Sequence, residues 1–256
     1  MAVTRSPQPL PWRSMTDILV MLLWGLMLVR YWVTGKLSLL LHPDYQWLSN
    51  GAAILLLGLA AMRSVQLARA LVEGTDGVAS QGHFSLFPRR FSTLLLIGVA
   101  VFGLIFNPRP FSSETALQRG LGESVGQTRS QPQRFALGRA PSERTILDWV
   151  RTLNVYPEPD AYEGQSINVT GFVIYPPGWP PSTFMVSRFV LTCCAADAYP
   201  IGLPVQLLDG QERPPQDQWL TVTGIAQTAN IGGKRQLAID PQNIEVVPEP
   251  ANPYEY

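Results

Sequence analysis

ILVMLLWGLMLVRYWV, residues 18–33, is broken only by Gly25 and Arg30. A second apolar run, LSNGAAILLLGLAAM, fills residues 48–62, and a third, FSTLLLIGVAVFGLIF, fills residues 91–106. Each is 15 or 16 residues long, slightly under the ~17–25 of a spanning helix. Flanking residues lengthen all three. Thr16 and Asp17 are expected to cap the first. The second continues past Arg63 through Val65, Leu67, Leu71 and Val72. The third lies between Arg89-Arg90 and Asn107-Pro108. The pattern predicts helices near residues 16–33, 48–71 and 90–106. Buried helices of a soluble protein are the competing explanation. Three such runs with so few charges in the first 106 residues point instead to a lipid solvent.

Composition agrees. Apolar residues make up 46% of the 256, and charged residues only 15%, against roughly 25% in an ordinary soluble domain. Net charge is zero, but residues 1–106 hold 8 basic and 4 acidic groups, and residues 107–256 hold 11 and 15. Neither half is strongly basic, so no nucleic-acid partner is expected. The first run resembles a signal peptide in its length and in Arg5 and Arg13 before it. No Ala-x-Ala cleavage site follows; Arg30-Tyr31-Trp32-Val33 does. It therefore reads as an uncleaved helix.

Arginine placement sets the expected orientation. The N-terminal tail carries Arg5 and Arg13, and the loop between the second and third runs carries Arg63, Arg69, Arg89 and Arg90. The loop between the first two has Arg30 and Lys36. The positive-inside rule puts the tail and the second loop in the cytoplasm, at the inner (plasma) membrane, and everything after Asn107 outside. Trp12, Trp24, Tyr31, Trp32, Tyr45 and Trp47 include interfacial anchors.

Residues 107–140 are rich in Gly, Ser, Gln, Pro and Arg. That composition reads as a flexible tether. Its five arginines either contact anionic lipid headgroups or sit on a solvated coil. Residues 141–256 are expected to form an extracytoplasmic β-domain with a leading helix. Pro141-Ser142-Glu143 is the start signal, with Ser142 as N-cap. Ile146, Leu147, Val150 and Leu153 recur at helical spacing, and Asn154 ends the run. From Gln165 onward the period changes to two. Strands are expected near residues 165–173, 184–193, 203–208, 219–225, 236–239 and 243–247. Pro176-Pro177-Gly178, Pro180-Pro181, Asp209-Gly210, Pro214-Pro215 and Gly232-Gly233 punctuate them. Five or six short strands suit a small OB-like barrel, with a β-sandwich as the alternative.

Cys193-Cys194-Ala195-Ala196-Asp197 carries the chemistry. The chain has only these two cysteines, which excludes a disulfide-rich scaffold and a four-cysteine zinc module. Four readings stay open. Each cysteine can be a small buried hydrophobe. The two can form a vicinal disulfide, strained because adjacent Cα atoms lie about 3.8 Å apart against the usual ~4.4–6.8 Å. They can bridge two molecules. Or they can bind a metal or soft ligand. Strand neighbours point to opposite faces, so Cys193 would share a face with Phe189 and Leu191. Cys194 would then be the more accessible thiol, and the two would meet one ion only if the strand broke by Cys194. Asp197 would add a hard oxygen, a mixture zinc tolerates. His42, before Pro43-Asp44 in the outward loop, is a weaker ligand candidate. His83 is expected to be solvated. No nucleophile elbow, phosphate loop or metalloprotease motif occurs, so no enzymatic activity is expected.

The order of apolar helices, tether and outer β-domain, with Ser187-Arg188-Phe189-Val190-Leu191-Thr192-Cys193-Cys194-Ala195-Ala196-Asp197, resembles the YcgQ-like permease-subunit family of bacterial membrane proteins. Gly202-Leu203-Pro204-Val205, Asp217-Gln218-Trp219-Leu220-Thr221-Val222-Thr223-Gly224 and Pro253-Tyr254-Glu255-Tyr256 extend the resemblance over most of residues 140–256. It implies a multi-spanning permease as partner, Arg188, Phe189, Trp219 and Gly224 as motif residues, and a histidine in place of Cys193 in some relatives. That exchange favours a metal over packing. Some relatives also carry a His-rich second loop; here that loop holds only His83. The two function classes are an accessory permease subunit, presenting an ion or solute, and a membrane-tethered thiol redox or sensing protein. A redox protein would usually show Cys-x-x-Cys near a βαβ pattern, and neither is present.

The orientation is directly testable. Alkaline phosphatase fused at Gln118 should be active and at Gly77 inactive; the reverse pattern would contradict it.

Overall fold

A computed structural model describes residues 12–73, 88–120, 140–208 and 210–256. The chain divides into two compact units, Met1–Pro108 and Arg109–Tyr256.

The first unit is helical: α1 (Trp12–Val33), α2 (Pro43–Glu73) and α3 (Arg89–Ile105). At ~1.5 Å per residue, α1 and α2, with 22 and 31 residues, exceed the ~30 Å of a bilayer core. By length and composition both can cross a membrane; α3 is apolar but shorter, at 17 residues. The helix already runs at Trp12, so Thr16 does not cap it; the Thr16 hydroxyl donates back to Arg13 O within the first turns. Small residues mediate the packing. Ala53, Ala60 and Ala100 are fully buried, and Gly25 faces Leu57. Polar groups of α1 reach the end of α3. Tyr31 Oη donates to Gly103 O at 2.7 Å, and the Arg30 guanidinium donates to Leu104 O and, at 3.4 Å, to Gly103 O. A cation at a helix C-terminus satisfies carbonyls that have no intrahelical partner. Outward-facing apolar side chains are exposed, among them Leu94 and Ile105 at 70% and 76%. Water would disfavour such a surface; hydrocarbon suits it.

The second unit is a six-stranded sheet: β1 (Ser166–Ile174), β2 (Thr183–Val190), β3 (Tyr199–Gln206), β4 (Trp219–Ile231), β5 (Lys234–Val246) and β6 (Tyr254–Glu255). Pairing runs β1–β4–β5–β3–β2 and returns to β1, where Phe172, Val173 and Ile174 oppose Ser187, Val186 and Met185. All these pairs are antiparallel except β3–β5, which meet at Val205 and Ile239. The β4–β5 hairpin turns at Gly232-Gly233, where φ is 60° and 79°, values that glycine adopts without a Cβ clash. Where the register shifts beside Thr223, a Cβ on Gly224 would overlap Asp240 O. That contact explains the glycine of this motif stretch.

Period-two alternation fills the interior as expected. Ile167, Val169 and Val173 of β1 join Phe184, Val186, Leu203, Leu220 and Ile239. The helix α5 (Ile146–Val155) lays Ile146, Leu147, Trp149 and Val150 on this core. Its N-cap is Thr145, not Ser142. Thr145 Oγ1 accepts from Asp148 N, and Asp148 reaches back to Thr145 N, both at 3.2 Å. Pro141–Glu143 form a separate 3-10 turn. Two helix starts compete within five residues, and the capping box with Asp148 wins.

The segment assigned by composition to a tether differs in its first part. Residues 109–120 belong to the β-unit, with a short helix α4 (Ser113–Gln118). Ser113 N donates to Asp217 Oδ1 at 2.6 Å, and Phe111 packs 5.0 Å from the Phe189 ring. One half-buried aromatic and one helix-end hydrogen bond tie it down despite the low apolar content. Residues 121–139 of the expected tether, like His83, Asp209 and the tail before Trp12, lie outside the described residues.

Glu255 is buried in β6. Its Oε2 accepts from Leu147 N at 2.9 Å, at the start of α5, and its Oε1 lies 3.8 Å from Arg188 Nη1. Burial pushes the Glu255 carboxyl up and the Arg188 guanidinium down, so desolvation outweighs their mutual attraction on both sides. Such a pair contributes little net stability, but losing one partner strands the other. Glu255→Ala should destabilise the β-unit by about 3–5 kcal/mol, and Arg188→Met with Glu255→Leu by much less. Urea unfolding of the full chain in detergent measures both; equal losses would contradict this account of the Arg188–Glu255 pair.

Candidate metal centre

Strand β2 ends at Val190, where its last residues lie between β3 and β6. Phe189 and Val190 pair in parallel with Tyr254 and Glu255, and Leu191 N donates to Glu255 O at 3.0 Å. Beyond Leu191 the chain turns. Cys194, still extended at φ −154°, precedes a 3-10 turn over Ala195–Asp197. Asp197 closes that turn. Its Oδ2 accepts the Thr192 hydroxyl and, at 2.9 Å, Cys193 N; its Oδ1 accepts Cys194 N at 3.2 Å. The expected strand through Cys193 therefore ends three residues early.

That break reverses the expected exposure. Cys193 is exposed and Cys194 half-buried, whereas unbroken alternation would have hidden Cys193 with Phe189 and Leu191. It also brings the thiols together. The two Sγ atoms lie 3.6 Å apart, and the thiols and a carboxylate oxygen of Asp197 all fall within 4.8 Å of one another. Two ligands at ~2.3 Å from one ion and 3.6 Å from each other subtend about 100°, close to tetrahedral. An ionised carboxylate offers about four acceptor sites; Thr192 and two backbone N–H groups take three and the Cys193 thiol takes the fourth, which an ion gains on displacing that thiol proton.

The electrostatics are those of a carboxylate beside two thiols. Burial pushes Asp197 up, but the donors from Thr192, Cys193 and Cys194 outweigh it and hold its carboxyl below the usual range. The Cys193 thiol is pushed up to about 11, chiefly by its hydrogen bond to Asp197 and then by the Cys194 sulfur. A metal must therefore displace a proton that the site holds firmly.

The remaining sequence candidates sit elsewhere. His42 belongs to the helical unit, where its Nδ1 accepts Asp44 N at 3.1 Å at the start of α2. Arg188, Phe189 and Trp219 form a cluster with Phe172 in the sheet, and Gly224 sits at the β4 register shift against Asp240. Phe189 stacks 5.9 Å from Phe172, Trp219 lies 5.7 Å from Phe172, and Arg188 covers Trp219 at 5.4 Å. Two contributors had no signal as site residues. Thr192 supplies a hydroxyl to Asp197. Arg119 donates to Ala198 O and, at 3.3 Å, to Ala195 O, bracing the turn from α4's end.

A family model described as the DUF1980 C-terminal domain matches residues 143–256. That stretch contains α5, all six strands and the two-thiol turn. No curated protein and no solved structure matches the chain.

Thiol reactivity checks the electrostatic picture. Below about pH 10, Cys193 should alkylate slowly with iodoacetamide, because only the thiolate attacks. Asp197→Asn removes the anion and should speed labelling at pH 8. Unchanged labelling of Cys193 would contradict the assigned coupling.

Proposed function

We propose that the chain is a non-enzymatic accessory subunit of a multi-spanning permease, holding a thiophilic divalent ion such as zinc on its outer domain. The single observation behind this reading is the three-donor turn, with sulfurs 3.6 Å apart and Asp197 beside them. Cys193, Cys194 and Asp197 would leave an open fourth position, which suits transient binding and transfer rather than a closed structural site.

The surrounding architecture fits that role. The chain would cross the inner membrane three times, with α3 as the last span and the N-terminus cytoplasmic. The exposed apolar faces of α2 and α3 suit lipid and the helices of a permease. The ring of pairings that returns from β2 to β1 supports an OB-like barrel of five strands with β6 added to its edge. A sandwich would have divided the strands between two separate sheets. A second reading, a membrane-tethered thiol redox or sensing protein, draws on the same short sulfur separation.

Calorimetric titration of the reduced full chain in detergent with zinc tests the proposal. One ion per chain should bind, and Cys193→Ser and Cys194→Ser should each abolish the heat. Affinity should fall as pH falls, because both thiols must lose protons on binding. No heat from the parent protein, or equal heat from either variant, would overturn the metal reading.

A further inference from the structure

We infer that Cys193 and Cys194 form a dithiol chelate for trivalent arsenicals, taking one arsenic per chain through both sulfurs. The inference rests on the reading above only in that both sulfurs serve one ligand; it does not need the carboxylate. Zinc seeks four donors, and the turn has two sulfurs and an Asp197 carboxylate already engaged by Thr192, two backbone N–H groups and the Cys193 thiol. Trivalent arsenic asks for less. It is pyramidal, forms three bonds, and brings one substituent of its own.

The geometry fits that valence. A sulfur separation of 3.6 Å is too short for a linear two-coordinate ion bonded at ~2.3 Å to each sulfur, but it matches a bent centre. Cys193 and the adjacent Thr192 are exposed, and Cys194 is half-buried, so an arsenical can approach the outer thiol first and close onto the inner one. The substituent that stays on arsenic then points to solvent. The chain has no third cysteine to compete for the atom.

The reaction balances without any redox partner. An arsonous species R–As(OH)2 condenses with the two thiols. Two As–O and two S–H bonds break, two As–S and two O–H bonds form, and two waters leave. Arsenic stays trivalent and both sulfurs stay reduced.

The test uses the reduced full chain in detergent, with phenylarsine oxide as probe and titration of free thiols as readout. One equivalent should block both thiols. The block should withstand excess glutathione, a monothiol, and be reversed by dithiothreitol, a dithiol. Cys193→Ser and Cys194→Ser should each weaken retention by roughly a hundredfold, as expected when one arm of a two-armed contact is lost. A parallel zinc titration separates the two readings. Zinc binding with an arsenical that glutathione strips would overturn the chelate and leave the metal proposal standing. A held arsenical without zinc binding would sustain the chelate and sink the zinc reading. Two thiols still titratable after one equivalent would overturn the chelate outright.

Discussion

The last strand ties the end of the second one to the start of α5 through a buried carboxylate. Tyr254 and Glu255 pair with Phe189 and Val190, and Glu255 takes the N–H of Leu191 with its own carbonyl. Its side chain meanwhile ties the first turn of α5 and faces Arg188. Three segments distant in sequence thus meet at one buried carboxylate. Desolvation makes this arrangement costly, so its contribution is to fix register more than to add stability. β2 ends beside that pairing, at Val190, and the thiol-bearing turn follows.

Asp197 then determines what the turn presents. Left extended, Cys193 and Cys194 would face opposite sides of the sheet. By gathering the Thr192 hydroxyl and two successive backbone N–H groups, the carboxylate folds the chain so that the sulfurs converge. The same anion keeps the Cys193 proton in place. A group that shapes the turn therefore also sets how tightly a thiophilic ligand must bind to displace that proton. Phe111, Phe189, Phe172 and Trp219 form a chain of ring contacts at the end of β2 from which the turn departs.

The sequence made some of this legible and hid the rest for physical reasons. Apolar runs and period-two alternation are local, so the helices and most strand cores were readable. So was the Gly232-Gly233 hairpin, whose backbone geometry needs glycine. The end of β2 was not, because its last residues pair with Tyr199 and Pro200 on one side and with Tyr254 and Glu255, more than sixty residues away in the chain, on the other. The turn that Asp197 closes just beyond it reversed the expected exposure of the two cysteines. The helix start moved from Ser142 to Thr145 because Asp148 answers only the latter. Docking of residues 109–120 was hidden because Phe111 and Ser113 find their partners across the fold. The cluster Cys193, Cys194 and Asp197 was named from chemistry and spacing alone, and the structure brings its donor atoms within 4.8 Å. His42 was named for its place before Pro43-Asp44 in the outward loop, and it belongs to the helical unit.

X-ray absorption at the zinc edge of the zinc-loaded full chain addresses the central claim at the level of bonds. The account predicts two sulfur neighbours at ~2.3 Å and lighter oxygen or nitrogen neighbours at ~2.0–2.2 Å. A shell containing no sulfur, with only oxygen or nitrogen around the ion, would contradict it.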